Sequence, residues 1–157
     1  MTIGEKLEQE LDKILSGQPW YGRPIYDILA DVSFEAAFEK PIASAHSIAE
    51  ILLHMLAWTE EVMDRLNGMS ANTPVSGDWP ETGAPDEEKW KRWVSDYKLV
   101  NVNLAVIIRD FPDEQWCFPI IDERGIEPVA THEEMVHGSI QHQIYHGGQI
   151  ALLSKAL

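Results

Sequence analysis

Six histidines stand in a chain of 157 residues, and two of them, His142 and His146, lie four apart. At about 100° per residue, side chains four apart leave a helix from nearly one face, one turn apart, so two imidazoles there can hold one metal ion. Alone this spacing is weak, because many such pairs are accidental. What strengthens it is His54, in the middle of a second amphipathic segment beside an apolar stripe, where an unpaired imidazole is costly to bury. A core histidine satisfied by a neighbour is the bland alternative; a third ligand from a facing helix is the part that the His142/His146 pair lacks. Three neutral imidazoles leave one or more positions open to water or substrate, as at catalytic metal sites. By ligand softness the set suits one divalent transition metal ion, Zn²⁺, Ni²⁺ or Fe²⁺ alike. A di-iron site needs two Glu-x-x-His pairs and two further Glu. Only Glu134 and His137 have that spacing, and Glu50 precedes His54 by four, so this rival is set aside.

The other histidines read differently. His137 points about 140° away from His142 on the same helix, and His132 falls in that helix's first turn. His46 lies about 80° around from His54 and is a candidate to support a ligand from behind. Trp58, one turn beyond His54, is core or pocket wall, and Glu61 is a solvated charge or a weak candidate for a general base. Tyr145, the other weak catalytic candidate, and Gln149 flank the histidine pair, within reach of a bound molecule. Gly147-Gly148 breaks helix propensity at a cost of roughly 2 kcal/mol in total, which implies that another backbone passes close. Cys117, between aromatics, reads as a packed thiol. No Gly-x-Ser-x-Gly, phosphate loop or dinucleotide fingerprint is present, so chemistry here falls to the metal and whatever water or thiol it holds.

These residues need helices to hold them, and the helix starts are written as capping boxes, in which Ser or Thr accepts from the third helical amide while Glu reaches back. Thr2 to Glu5 opens a segment to about Ser16, Ser47 to Glu50 one to about Asn67, and Thr131 to Glu134 one that runs almost to Leu157. Asp86 after Pro85 caps a fourth that ends near Arg109, ahead of Phe111-Pro112. Apolar residues recur at three and four, as in Leu7, Leu11 and Ile14 or Ile48, Ile51, Met55, Val62 and Leu66. A shorter helix is expected around Pro24 to Leu29, then a turn capped by Ser33. Gly68 to Pro85 has no periodicity and reads as a long surface loop, of the sort that is often functional. Trp116 to Val129 is expected to form a short hairpin or loop, with Pro119 and Pro128 against the strand reading. The expected fold is all-α, one four-helix-bundle domain over residues 1–157.

Composition agrees. At this length roughly two-thirds of the unfolded chain's surface can be buried, and 45% apolar residues, six of them Trp, with 24% charged residues describe a packed globule. The formal charge of −14, with no basic cluster, argues against nucleic acid and against an anionic membrane surface. One cysteine allows no internal disulfide, and neither an export signal nor an apolar run of about 20 residues is seen, so a cytoplasmic protein is expected.

Four blocks carry a likeness: Gly22 to Leu29, Ser47 to Trp58, Phe111 to Trp116, and, most specific, His142-Gln143-Ile144-Tyr145-His146-Gly147-Gly148-Gln149-Ile150. In these the chain resembles the DinB/YfiT-like family of metalloenzymes. The resemblance implies an up-down-down-up bundle, metal ligands at His54, His142 and His146, and frequent homodimers. It also implies chemistry of the kind seen in some relatives, S-transferases and an isomerase that use a low-molecular-weight thiol. The leading expectation is therefore an enzyme whose metal lowers the pKa of a thiol or water that attacks a small electrophile. Thiol transfer is preferred to hydrolysis on the likeness alone. The alternative is a metal-binding, sensing homodimer without catalysis, for which a site without an accessible pocket is expected. Leu99, Val102, Leu104, Val106, Ile107 and Ile108, apolar on more than one side of their helix, also favour a dimer.

Overall fold

The computed structural model describes residues 1–157 and is all-helical. Its elements are α1 (Ile3–Ser16), α2 (Ile25–Ala30), α3 (Phe34–Phe38), α4 (Ile48–Leu66), α5 (Glu87–Asp110) and α6 (His132–Ser154), with a 3₁₀ turn at Asp113–Gln115. Each long helix starts where a side chain satisfies an orphan amide. Thr2, Ser47 and Thr131 form complete capping boxes with Glu5, Glu50 and Glu134, and Asp86 accepts from the Lys89 amide. Ser33 caps a five-residue helix where only a turn was expected.

Each of α1 and α4 packs against both α5 and α6, so the four long helices enclose one core. Its stripes are Leu7, Leu11 and Ile14 on α1, Ile48, Leu52 and Met55 on α4, Tyr97, Leu104 and Ile108 on α5, and Val136, Ile140 and Ile150 on α6, all buried. α1 approaches α5 so closely at Gly4 that a methyl group there would collide with the carbonyl oxygen of Ile108. The short α2 and α3 close the sides, α2 against α1 and α6, α3 against α4 and α5.

One buried polar chain sets the rotation of α6 against α5. The Tyr97 hydroxyl donates to Gln143 Oε1, Gln143 Nε2 donates to Asn101 Oδ1 at 3.2 Å, and Asn101 Nδ2 donates to the Tyr97 carbonyl at 2.9 Å. Gln143 is fully enclosed, so its neighbour His142 turns toward α4. Burial also drives the Tyr97 hydroxyl's pKa well up, which keeps it a neutral donor.

Between the 3₁₀ turn and α6 the chain makes a loop with a single antiparallel bridge, Pro119 to Thr131, flanked by hydrogen bonds from Ile120 N to Ala130 O and His132 N to Phe118 O. The expected hairpin does not extend, because Pro119 and Pro128 have no amide hydrogen to give to a ladder. No helix is long and apolar enough to cross a membrane.

Candidate metal centre

α4 carries His54 and α6 carries His142 and His146, one helical turn apart, so that the three imidazoles meet where the two helices touch. Ring centroids are 4.9 Å apart for His54 and His142, 4.7 Å for His54 and His146, and 4.5 Å for His142 and His146. One ring nitrogen from each lies within 4.8 Å of the others. His54 and His146 are buried, each 5% exposed, and His142 is half-buried.

The outer nitrogens show which atoms are free. His54 Nδ1 donates to the backbone carbonyl of Asp78 at 2.5 Å, a group that can only accept, so the hydrogen sits on Nδ1 and Nε2 keeps its lone pair. His146 Nδ1 donates to Gln149 Oε1 at 2.6 Å with the same result. His54 Nε2 and His142 Nε2 are 3.0 Å apart, close enough to share one ion through bonds of about 2.0–2.1 Å. The outer tie of His54 and His146 to a carbonyl oxygen is how metal-binding histidines are held and how their tautomer is set.

The local field favours neutral rings, the form that binds a metal. Burial, then the neighbouring His146 and His54, lowers the pKa of His142 to about 4, against an opposing pull from Asp78. His146 is lowered too, chiefly by burial, with the bond to Gln149 working the other way. The donor set, its tautomers and its protonation therefore fit a divalent transition metal ion.

The fourth wall comes from the loop after α4. Gly77 has φ of +95°, a conformation that L side chains rarely adopt, and its amide donates to Pro74 O at 2.9 Å. The turn sends the next two residues back over the site. Asp78 gives its carbonyl to His54 and its Oδ1 to Trp58 Nε1 at 2.7 Å. Trp79 lies flat on His54, with centroids 3.8 Å apart and planes 8° apart, and its other stacking partner is His46, at 3.6 Å and 8°. His46 is fixed by Glu50 at 2.7 Å. Burial works against the Glu50 charge, but His46, Lys40 and the Ser47 amide outweigh it and bring its pKa down to about 2.

A family model of the DinB superfamily matches residues 25–150. The chain belongs to the DinB superfamily. Searches of curated proteins and of solved structures found no match. The match spans α2 to most of α6 and so includes all three histidines of this DinB chain.

The other residues singled out in the sequence divide. Trp58 lines a pocket of about 350 Å³ that also reaches His54 and His142. Tyr145, His46 and Gln149 line a second, of about 430 Å³, which reaches His146. Tyr145 is exposed and edge-on to His146 at 5.0 Å. His46 touches no ligand directly; Trp79 stands between it and His54. Glu61 is not a solvated charge: it is 5% exposed, is paired with Arg65 and accepts the Asn72 amide at 3.0 Å, so its carboxylate anchors the start of the loop. His137 is exposed near Glu133, and His132 Nδ1 donates to the Phe118 carbonyl at 2.7 Å, both away from the triad.

Two readings need correction. Cys117 is exposed and not packed, because Trp116 takes the enclosed position and the next side chain points outward. At Gly147 a Cβ would sit 3.0 Å from the Ile25 side chain of α2, not against another backbone, and Gly148 faces open space. Asp78, Trp79 and Arg65 were not singled out. The available signal was a Trp in a polar loop just after Gly-Asp, since a large aromatic there needs a surface to cover.

Proposed function

We propose that the chain is a metal-dependent enzyme that joins a small thiol to a small electrophile, with His54, His142 and His146 as ligands to one Zn²⁺, Ni²⁺ or Fe²⁺. The observation that carries this is the convergence of three imidazoles, two of them tied back through Nδ1, at a point reached by two pockets. When bound, the ion supplies Lewis acidity that lowers the pKa of a thiol or water brought against it. The chain's own residues hold and orient: Asp78 and Gln149 fix the tautomers of His54 and His146, and Trp79 holds the plane of His54. The thiol proton passes to solvent, sulfur bonds to the electrophilic carbon, and the leaving group departs from that carbon with its electron pair. Accessible pockets favour this over a sensing role without catalysis. Hydrolysis is less well served, since Glu61 is engaged by Arg65 and is not free to draw a proton from water.

Turnover of a chromogenic electrophile is the test, with bacillithiol, mycothiol, glutathione or cysteine and added Zn²⁺, Ni²⁺ or Fe²⁺. A metal-dependent rate above background is expected with at least one thiol, and its absence with all of them defeats the transferase reading.

The same reading takes residues 1–157 as one up-down-down-up bundle domain, supported by the way α1 and α4 each bridge α5 and α6. It places the chain in the cytoplasm, where a lone exposed thiol stays reduced. It also makes the chain a homodimer through the outer face of α5, supported by Leu99, Val102 and Val106, exposed at 60%, 58% and 43%. Sedimentation of the 17.8 kDa chain at micromolar concentration should then show a dimer that Val102→Glu dissociates.

A further inference from the structure

The two pockets at the histidine centre share no lining residue and differ in chemistry. The smaller opens on His54 and His142 and contains one cation and one anion, Arg65 and Asp78. The Arg65 side chain is 10% exposed, with Nε on Glu61 and Nη2 on the Asn72 carbonyl at 3.0 Å, while Nη1 has no hydrogen-bond partner in the chain. Asp78 uses Oδ1 on Trp58 and has no bond to Oδ2. The Trp58 indole connects them, with the Arg65 guanidinium carbon 5.8 Å from its ring centre and Asp78 on its N–H.

The larger pocket opens on His146 and is walled by Ile42, Ile51, Leu152, Leu153 and the rings of Trp79 and Tyr145. No Asp, Glu, Lys or Arg side chain lines it. Gln149 Oε1 takes the His146 hydrogen, and His46 Nδ1 is paired with Glu50 while its ring stacks on Trp79. A charged molecule entering here would lose its water without gaining an opposite charge, whereas an apolar one would gain from burial. The stack of Trp79 on His54 is the partition: Trp79 lines this pocket, His54 lines the other, and their faces are 3.8 Å apart.

We infer that two different small molecules reach the centre from opposite sides, a small zwitterion on the His54/His142 side and an uncharged apolar molecule on the His146 side. This rests on the two-reactant reading above and gives each reactant a charge class and a place. A molecule with both an ammonium and a carboxylate uses the free edges of Asp78 and Arg65 together, and neither charge is buried unpaired.

The probes are four thiols that differ in charge: cysteine, 3-mercaptopropionate, cysteamine and ethanethiol, titrated anaerobically into Co²⁺-loaded protein and followed by visible absorption. Cysteine is expected to bind about tenfold more tightly than either singly charged thiol, since each charge-assisted hydrogen bond is worth roughly that factor. Ethanethiol should be weakest. The Asp78→Asn variant keeps the backbone carbonyl and an acceptor for Trp58, and should weaken cysteine and cysteamine about tenfold but leave 3-mercaptopropionate unchanged. 4-Nitrotoluene is the apolar probe, followed by equilibrium dialysis, and should bind without displacing cysteine.

Gly138 lines the charged pocket and has open space where a Cβ would go, so Gly138→Leu puts a side chain into that pocket, in a residue type that favours the helix. It should weaken cysteine and spare 4-nitrotoluene. Leu152→Glu, at an exposed rim position, should do the reverse. Equal affinity of cysteine and ethanethiol, competition between cysteine and 4-nitrotoluene, or parallel loss of both in one variant overturns the inference. Absence of a Co²⁺ spectrum overturns the metal reading instead; calorimetric titration of metal-free protein with cysteine and 4-nitrotoluene, wild type against the two pocket variants, then still decides whether two pockets exist.

Discussion

If His54, His142 and His146 are the ligands, replacements of the histidines and of Gln149 should fall into three separate levels of metal affinity. Structural zinc sites with four ligands bind with about 10–16 kcal/mol, so one ligand carries about 2.5–4 kcal/mol, roughly 10²–10³-fold in affinity. His142→Ala should lose at least that, because it takes away the nitrogen 3.0 Å from His54 Nε2. Gln149→Leu keeps every ligand but removes the acceptor that holds His146 Nδ1 at 2.6 Å, and losses of this kind are about 10–100-fold. His137→Ala should change nothing, since that ring is exposed and its only charged neighbour is Glu133, 3.9 Å away. His132→Ala removes the bond to the Phe118 carbonyl, so thermal stability should fall slightly with metal affinity unchanged. Competition with a chromophoric zinc chelator gives the affinities, elemental analysis after reconstitution with one equivalent gives occupancy, and far-ultraviolet circular dichroism checks the fold. Full affinity in His142→Ala, or a loss in His137→Ala with helix content intact, would show that the triad is wrongly chosen.

Three further perturbations test the surroundings. Gly77→Ala puts a side chain at φ of +95°, a strain of about 1–3 kcal/mol that the loop relieves by withdrawing the Asp78 carbonyl; zinc affinity should fall about tenfold with unchanged helix signal, and unchanged affinity would count against the loop's role. In the metal-free protein His142 titrates at about 4 against an ordinary value near 6.5, so the unfolded chain binds the extra proton and folding stability falls as pH drops from about 6.5 through 4, with no change above. Urea unfolding at pH 7.5, 6 and 5 should show this loss, smaller in His142→Gln; the Glu50 contribution, by contrast, is lost only below about 4.5, as pH falls toward 2. Gln143→Leu leaves the Tyr97 hydroxyl and Asn101 Oδ1 without partners in the core, at about 2–5 kcal/mol in all, and should lower the melting temperature by roughly 5–15 °C. A drop under a degree would mean that the polar chain does not hold α5 and α6 in register.

The elements were legible where the information is local. Thr2, Ser47 and Thr131 each announce a helix because the cap and its reciprocal acid lie within four residues, Asp86 does so as a cap after Pro85, and all four start helices in the structure. The histidine triad was legible for a related reason. A helix converts spacing into direction, so His142 and His146 had to share a face, and His54, beside an apolar stripe, was a candidate third ligand from a facing helix. The low helix propensity of Gly147-Gly148 was also readable, but not what Gly147 accommodates, since α6 runs through both residues. The neighbour is a side chain of the six-residue α2, whose place on α6 depends on how the chain returns after α1.

The loop is where local reasoning stopped, and it matters most for what the centre can do. Nothing periodic marks Gly68 to Pro85, because its residues answer to surfaces brought together by α4 and α6 and not to their own neighbours. Glu61 is the clearest case. From α4 alone it is a charge one turn past Trp58, more readily solvated than catalytic. With the loop in place its carboxylate holds the Asn72 amide and Arg65, and Arg65 in turn holds the Asn72 carbonyl. That anchor fixes the start of the loop, and Gly77 fixes the turn from which Asp78 and Trp79 reach His54. The loop thus does what a fifth helix could not. It brings a backbone carbonyl, a carboxylate and an aromatic face to one imidazole from consecutive residues, whereas a helix would use its carbonyls internally and spread its side chains by 100° each. The three histidines form a group that can hold a metal ion, and the aperiodic segment sets Trp79 between the pocket that carries Arg65 and Asp78 and the mainly apolar one.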